Sequence, residues 1–238
     1  MNPVLPVLHR RETYTLSPGK ILGIGLNYLD HIREDSMREV RGFQANVPAE
    51  PVVFAMTPNV LIPSGAPIVL PRFVSEDYTF ASPRVDLEGE LAFVIKDRCR
   101  NVPEAEALRH VLGYTVMNDV TQRNLQKGDA SGWFRGKSLD TFGPVGPALL
   151  PAEDLPDPQQ LNIVTRLNGH TVQESNTRHM IFSVARLLAF LSRNFTLEPG
   201  DLITTGTPSG VCPLAAGDVV EVEIEGIGIL RNPVVAEA

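Results

Sequence analysis

Prolines and glycines constrain this chain more than any other feature. There are 20 prolines and 19 glycines, and they fall between short apolar runs. Proline removes a backbone donor and glycine disfavours helix interiors, so punctuation this dense predicts many short strands and few long helices. Strands are expected over Lys20 to Leu26, Val52 to Met56, Pro67 to Leu70, Leu87 to Ile95 and Gly113 to Asn118. Leu161 to Leu167 runs into Asn168-Gly169, a pair that accepts the positive φ of a type I′ turn, and so predicts a hairpin. In Val219 to Glu225, Val220, Val222 and Ile224 alternate with Glu221, Glu223 and Glu225. That period of two puts the aliphatic residues on a core face and the glutamates in water. Pro199-Gly200-Asp201 and Ala216-Gly217-Asp218 repeat one device, a turn that feeds a strand.

Two helices are expected. Pro103 to Leu112 has a proline near its start and acids in its first turn. Arg178 to Asn194 carries Ile181, Val184, Leu187, Leu188 and Leu191 at helical spacing, with Asn176 and Thr177 as caps. Asp35 to Glu50 lacks regular pattern and reads as a lid or binding loop, or as disorder.

The 238 residues suit one globular domain. A net charge of -7 argues against a nucleic-acid surface, and no Lys/Arg cluster is interleaved with aromatics. The two cysteines, Cys99 and Cys212, form no CxxC pair, which fits reduced thiols and a cytoplasmic protein. Met1 to Tyr14 has no apolar signal region, and no stretch approaches the roughly 20 apolar residues of a membrane span.

Chemistry is suggested first by Asp86-Leu87-Glu88-Gly89-Glu90. In a strand the three acids share one face, and the apolar run after them carries the strand into the core. Acids so placed repel one another and lose solvation unless a cation joins them. A hard divalent cation with oxygen ligands is one answer, with Asp119 as a third ligand at the end of the next apolar strand. A solvated edge is the other. His31 and Glu34 are three apart, so one helical turn brings imidazole and carboxylate together, either as a general base or as an exposed polar helix start. Lys137 sits in a polar, glycine-bearing loop and can stabilise developing negative charge, or is an ordinary loop lysine. Gly23-Ile24-Gly25 lacks the third glycine and following helix of a dinucleotide fingerprint and is set aside. Thr204 to Gly210 lacks the lysine of a phosphate loop but can offer hydroxyls and amides to an anion.

An ordered set of motifs runs through the chain. Asn27-Tyr28 with His31 and Glu34 comes first, then Asp86-x-Glu88-x-Glu90-Leu91, then Gly113-Tyr114-Thr115 with Asn118-Asp119-Val120-Thr121 and Arg123. Gly136-Lys137-Ser138 with Asp140-Thr141-Phe142 and Gly200-Asp201-Leu202-Ile203-Thr204-Thr205-Gly206-Thr207-Pro208 complete it. The set resembles the fumarylacetoacetate hydrolase family in its shorter form, over about Lys20 to Val235. The resemblance implies a mainly β fold with a few helices, a mixed β-roll, with a catalytic domain over residues 20–238 and an N-terminal extension or small strand segment over 1–19. It implies Mg2+ or Mn2+ on Glu88, Glu90 and Asp119, a catalytic His31–Glu34 dyad with Lys137, and substrate contacts from Arg123, Gln126 and Thr207. It also implies a homodimer. Two departures stand out: Met56 where many relatives carry lysine, which removes a cation near the expected site, and Thr177-Arg178-His179-Met180-Ile181-Phe182 where relatives often show Thr-Ser-Asp-Met-Ile-Phe.

The expected reaction is metal-dependent hydrolysis of a carbon–carbon bond in an acylpyruvate, giving pyruvate and a carboxylic acid. Decarboxylation of oxaloacetate and isomerisation of an unsaturated oxo diacid such as 2-hydroxyhepta-2,4-diene-1,7-dioate are alternatives on the same site. A catalytically silent 2-oxo acid binding protein is an alternative of another class.

Overall fold

Strands carry the fold, as the proline and glycine spacing requires. The computed structural model describes residues 2–34, 47–128, 130 and 132–238. The early strands are β1 (Val4–Pro6), β2 (Thr13–Thr15), β3 (Ile21–Gly25), β4 (Val52–Met56), β5 (Leu61–Pro63) and β6 (Ile68–Leu70). The middle of the chain gives β7 (Val85–Asp86), β8 (Gly89–Ile95), β9 (Val111–Asn118), β10 (Thr121–Gln122) and β11 (Gly143–Pro151). The last are β12 (Asn162–Leu167), β13 (His170–Asn176), β14 (Leu202–Thr204), β15 (Val219–Ile224) and β16 (Gly228–Ala236). The helices are short: α1 (Leu29–Ile32), α2 (Phe73–Glu76), α3 (Arg123–Gly128), α4 (Phe134–Lys137) and α5 (Val184–Asn194). Among the described residues, no helix is long and apolar enough to cross a membrane.

The strands form a mixed β-roll. One sheet of seven runs β4-β3-β14-β8-β9-β11-β5, and a second of five runs β13-β12-β15-β16-β6. Most pairs are antiparallel; β14 with β3, β11 with β5 and β16 with β6 are parallel. Strand β8 explains how the layers join. All of its residues are buried, with Leu91, Phe93 and Ile95 in the larger core and Ala92 and Val94 in a smaller core on the other face. A strand covered on both faces reads as a continuous apolar run, which is what the sequence has. Each such aliphatic or aromatic side chain contributes roughly 1.5–3 kcal/mol by leaving water. Leu5 and Leu16 belong to the smaller core, so the first residues of the chain pack on the seven-stranded sheet.

Several local expectations hold. Asn168 and Gly169 both have positive φ, 53° and 80°, between β12 and β13. The burial of β15 alternates residue by residue, with Val220, Val222 and Ile224 inside. In the repeated turns, Asp201 and Asp218 accept from the backbone amides of Glu198 and Ala215, both at 2.7 Å.

Others need correction. The helix expected from Arg178 begins at Val184, capped by Ser183, whose hydroxyl accepts from the Arg186 amide. Residues 181 and 182 give their amides to the backbone and side chain of Asn27 instead of to a helical turn. Asn176 caps only a 3-10 turn, Thr177–His179. Over Pro103 to Leu112 the helix is a 3-10 segment, Glu104–His110, after which β9 begins at Val111. Residues 35–46 of the expected loop lie outside the described residues.

Candidate metal centre and catalytic dyad

The strand expected from Leu87 to Ile95 is broken. Asp86 pairs with Thr121 between β7 and β10, and the Leu87 amide donates to the Cys212 carbonyl. Asp86, Glu88 and Glu90 therefore do not lie on one continuous strand. The break places Glu88 beside Asp119, because the β8–β9 pairing continues past its end through two further bonds. The Glu88 amide donates to Asn118 Oδ1 at 2.9 Å, and the Asp119 amide to the Glu88 carbonyl at 2.8 Å. Glu88, Glu90 and Asp119 each offer an oxygen within 4.8 Å of the others, and all three are buried. Asp86 is not in this group; its carboxylate accepts from Arg84 at 2.6 Å and Arg123 at 2.7 Å.

Two buried cations face the acids. Arg123, at the start of α3, donates from Nη2 to Glu88, from Nε to Asp86 and from Nη1 to Gln126 at 2.9 Å. Lys137, at the end of α4, donates to Glu88 Oε2 and Asp119 Oδ2, both at 2.6 Å, and lies 5.0 Å over the Phe54 ring. Burial works against the charge of Glu88, but Arg123 and Lys137 outweigh it and hold its carboxyl down at about 2. Burial also opposes the charge of Lys137, but Asp119 and Glu88 outweigh it and raise its pKa. Asp119 is pushed up to about 6 by burial, with Lys137 working against that shift and Glu88 for it. Glu90 is raised well above the ordinary carboxylate range by burial and by Asp119.

The donor set fits a hard divalent cation. Its ligands are all carboxylate oxygens, the kind that select magnesium, manganese or calcium. Asp119 Oδ1 is buried with no hydrogen-bond partner, and the raised pKa values of Glu90 and Asp119 mark a shortage of positive charge. A bound dication would satisfy both.

His31, buried on α1, lies in the same cleft, with Nδ1 2.8 Å from Glu34 Oε2. The other oxygen of Glu34 accepts from the Gly210 amide. With Nδ1 held, Nε2 is the nitrogen left for chemistry. The loop over Thr204 to Gly210, expected to meet an anion, meets the protein's own: the Gly206 amide donates to Glu90 at 2.8 Å and the Gly210 amide to Glu34. Gly206 and Gly210 have φ of 93° and 103°, and a Cβ at Gly210 would lie 1.9 Å from the Val172 carbonyl oxygen. Thr207 donates to the Gly89 carbonyl at 3.0 Å and accepts from Gln173 at 2.8 Å, while lining the cleft.

The cleft is narrow and holds every expected site residue: His31, Glu88, Glu90, Asp119, Arg123, Gln126, Lys137 and Thr207 line it, and Glu34 reaches it through His31. Its apolar lining, Ile24, Leu26, Phe54 and Trp133, has no counterpart among the residues expected from the sequence. Met56 packs in the smaller core and does not line the cleft. A larger surface cavity beside Tyr14, Lys96 and Tyr114 contains none of these groups.

The fumarylacetoacetate (FAA) hydrolase C-terminal family model matches residues 20–235. The chain belongs to the fumarylacetoacetate hydrolase family. An uncharacterised protein of Archaeoglobus fulgidus is 49% identical over 218 residues, covering 92% of this chain and 79% of that protein. The structure of fumarylpyruvate hydrolase from Pseudomonas aeruginosa, in complex with Mn2+ and pyruvate, superposes with a TM-score of 0.83 at 30% identity, covering 99% of this chain and 97% of that one. The 2-hydroxyhepta-2,4-diene-1,7-dioate isomerase of Mycobacterium marinum gives a TM-score of 0.80 at 37% identity, covering 96% and 82%. Members of this family are enzymes, and the fold of this chain is the family's β-roll.

Proposed function

We propose that the protein is a magnesium- or manganese-dependent hydrolase that cleaves the carbon–carbon bond of an acylpyruvate, giving pyruvate and a carboxylic acid. The observation that carries this reading is the His31–Glu34 pair opening onto the cleft that holds Glu88, Glu90 and Asp119. A metal centre alone suits several reactions of 2-oxo acids; a histidine held by a carboxylate beside it suits activation of water.

Glu88, Glu90 and Asp119 would hold the ion. When bound it supplies Lewis-acid stabilisation of negative charge on the 2-oxo acid. His31 Nε2 takes a proton from water while Glu34 keeps the ring oriented and stabilises its cationic form. The water oxygen bonds to the distal acyl carbon, and the charge gathers on the acyl oxygen. Lys137 has three N–H groups, two of them on Glu88 and Asp119, and its third serves that oxygen. Collapse breaks the bond between the acyl carbon and the methylene. The protonated His31 returns its proton to the methylene carbon, which becomes the methyl group of pyruvate. Arg123, Gln126 and Thr207 line the cleft where the oxo acid would be oriented.

Isomerisation of an unsaturated 2-oxo diacid is the second reading, favoured by the higher identity to the Mycobacterium marinum isomerase, 37% against 30%. The deciding experiment incubates the protein and Mg2+ or Mn2+ with acetylpyruvate, oxaloacetate and an unsaturated oxo diacid. Pyruvate plus acetate from acetylpyruvate is expected. Isomerisation or decarboxylation without hydrolysis would replace the first reading, and binding without turnover would make the protein a 2-oxo acid binder.

A further inference from the structure

The loop after β14 leaves the seven-stranded sheet before it has covered β8. β14 pairs with β8 in antiparallel register, with Leu202 opposite Val94, Ile203 opposite Phe93 and Thr204 opposite Ala92. The Thr205 amide extends the ladder by donating to the Leu91 carbonyl at 3.1 Å. Hydrogen-bonded pairs alternate in such a ladder, so the next one in register is Thr207 with Gly89. That pair does not form through the backbone. Gly206, with φ of 93°, turns the chain aside, and its amide goes to Glu90 Oε2 at 2.8 Å. The turn brings a donor to a candidate metal ligand and leaves the N–H and C=O of Gly89 without their rung.

Gly89 is buried, and buried backbone groups need partners. Side chains supply them. The Gly89 amide donates to Gln173 Oε1 at 3.0 Å, and the Gly89 carbonyl accepts from the Thr207 hydroxyl at 3.0 Å. Gln173 Nε2 donates to Thr207 Oγ1 at 2.8 Å and to the Pro208 carbonyl at 2.9 Å. These partners decide how the Gln173 amide is turned. Reversed, it would set N–H against the N–H of Gly89 and oxygen against the oxygen of Pro208. Gln173 is 1% exposed and comes from β13, the edge strand of the other sheet. Its one amide therefore ties Gly89, the residue between Glu88 and Glu90, to the loop that reaches Glu90.

We infer that Gln173 is a positioning residue of the metal centre: it fills the rung that the loop vacates, and so sets the spacing of Glu88 and Glu90. Thr207 completes the same rung while lining the cleft. The inference rests on the metal assignment and on no particular reaction.

The test is calorimetric titration of Mn2+ into the substrate-free protein. Gln173→Met keeps the bulk and loses the bonds, and is expected to raise Kd roughly 10- to 100-fold, the usual cost of removing a partner that orients metal ligands. Asn232→Leu is the matched control. Asn232 is 2% exposed and its amide also donates to two backbone carbonyls, those of Pro63 and Ala66, but it does not line the cleft. Its loss should lower the thermal midpoint comparably and leave Kd unchanged. Thr207→Val should weaken Mn2+ binding, and Thr207→Ser, which keeps the hydroxyl, should not. The double variant Gln173→Met/Thr207→Val should be little worse than the worse single one, because both break one rung. A wild-type Kd in Gln173→Met, or an equal weakening by Asn232→Leu, overturns the inference and leaves the amide a part of the fold alone. If the wild type itself binds no Mn2+, the metal assignment fails and the inference falls with it. If Gln173→Met does not fold, the Thr207 variants decide, and equal Mn2+ affinity in Val and Ser overturns the rung.

Discussion

Two stretches of this chain carry the same acidic pattern and meet opposite fates. Asp86, Glu88 and Glu90 are spaced two apart, and so are Glu221, Glu223 and Glu225. The first three are buried, while the second three are half-buried or exposed. The stretches even pack back to back: a Cβ at Gly89 would fall 2.9 Å from Cγ1 of Val222 and 2.2 Å from Oγ1 of Thr165. Spacing therefore decides nothing by itself. On β15 the acids face outward, and two of them find only surface partners, Arg231 for Glu221 at 3.2 Å and Arg166 for Glu223 at 2.7 Å. Between β7 and β8 both faces are covered, so the acids need cations brought by other elements, Arg123 from α3 and Lys137 from α4. Burial with too few positive charges is what turns an acidic pattern into a site.

The sharpest way to break the comparison is to remove one acid from each stretch. Glu88→Ala or Asp119→Ala is expected to abolish turnover and calorimetric binding of Mn2+, and chelation should do so reversibly. Glu223→Ala should leave both intact. Removing Glu88 leaves Arg123 on Asp86 and Lys137 on Asp119 and relieves its repulsion of Asp119, so the change in folding stability read from denaturant titration without metal is expected to stay below the roughly 3–5 kcal/mol that stranding a buried charge costs. Full activity in chelator would sink the metal assignment.

The dyad gives the next largest effect. His31→Ala is expected to slow acylpyruvate hydrolysis by roughly 100- to 10,000-fold with Mn2+ binding retained. Glu34→Gln should cost no more, because it acts through the ring, and the double variant should be little worse than the worse single one. Losses that multiply would mean that the two residues act independently.

These two tests concern residues that the sequence singled out and that the structure brings into one cleft, and there is a physical reason. Charged side chains in apolar surroundings are conspicuous, so Glu88, Glu90, Asp119 and the three-residue spacing of His31 and Glu34 stood out as candidates, while a solvated edge and an exposed helix start stayed open until the family resemblance assigned roles. Alternation in β15 and the Asn168-Gly169 turn were equally legible, because period and positive φ are local properties. What escaped was set by distant contacts. The break at Leu87 depends on a carbonyl from Cys212, and the late start of α5 depends on Asn27, 155 residues before Phe182. The apolar lining of the cleft escaped because Phe54 and Trp133 come together only when β3 lays Gly23 and Gly25 against them. Met56 marks a similar limit: as a departure from a pattern it suggested a lost cation at the site, whereas its side chain packs in the core.

A smaller effect tests the seam where the two acidic stretches touch. Gly89→Ala would push a methyl group into Thr165 and Val222, and its amide already donates to Gln173 Oε1 at 3.0 Å. Overpacking of this kind costs about 1–3 kcal/mol, to be read from the denaturation midpoint. Because Glu88 and Glu90 flank the position, a weakened affinity for Mn2+ should accompany it. A stability loss with unchanged metal affinity would show that the seam supports the fold but does not hold the carboxylates in place.

The smallest effect belongs to the solvated stretch, and it tests whether the contrast is one of environment. Arg166 and Glu223 are 2.7 Å apart, with side chains 30% and 41% exposed. The geometry is as close as that of Lys137 with Glu88, at 2.6 Å, yet water screens the first pair and not the second. A partly exposed pair in high dielectric gains little Coulomb energy and gives up side-chain freedom to do so. A double-mutant cycle of Arg166→Ala and Glu223→Ala should therefore yield a coupling of less than about 1 kcal/mol, falling further as salt is raised. The same cycle on Lys137→Met and Glu88→Gln, run in chelator, should give a larger coupling that monovalent salt barely changes, since the pair is buried away from the screening solution. Equal couplings with equal salt dependence would mean that burial does not separate the two stretches, and the physical account of why only one of them is a site would fall with it.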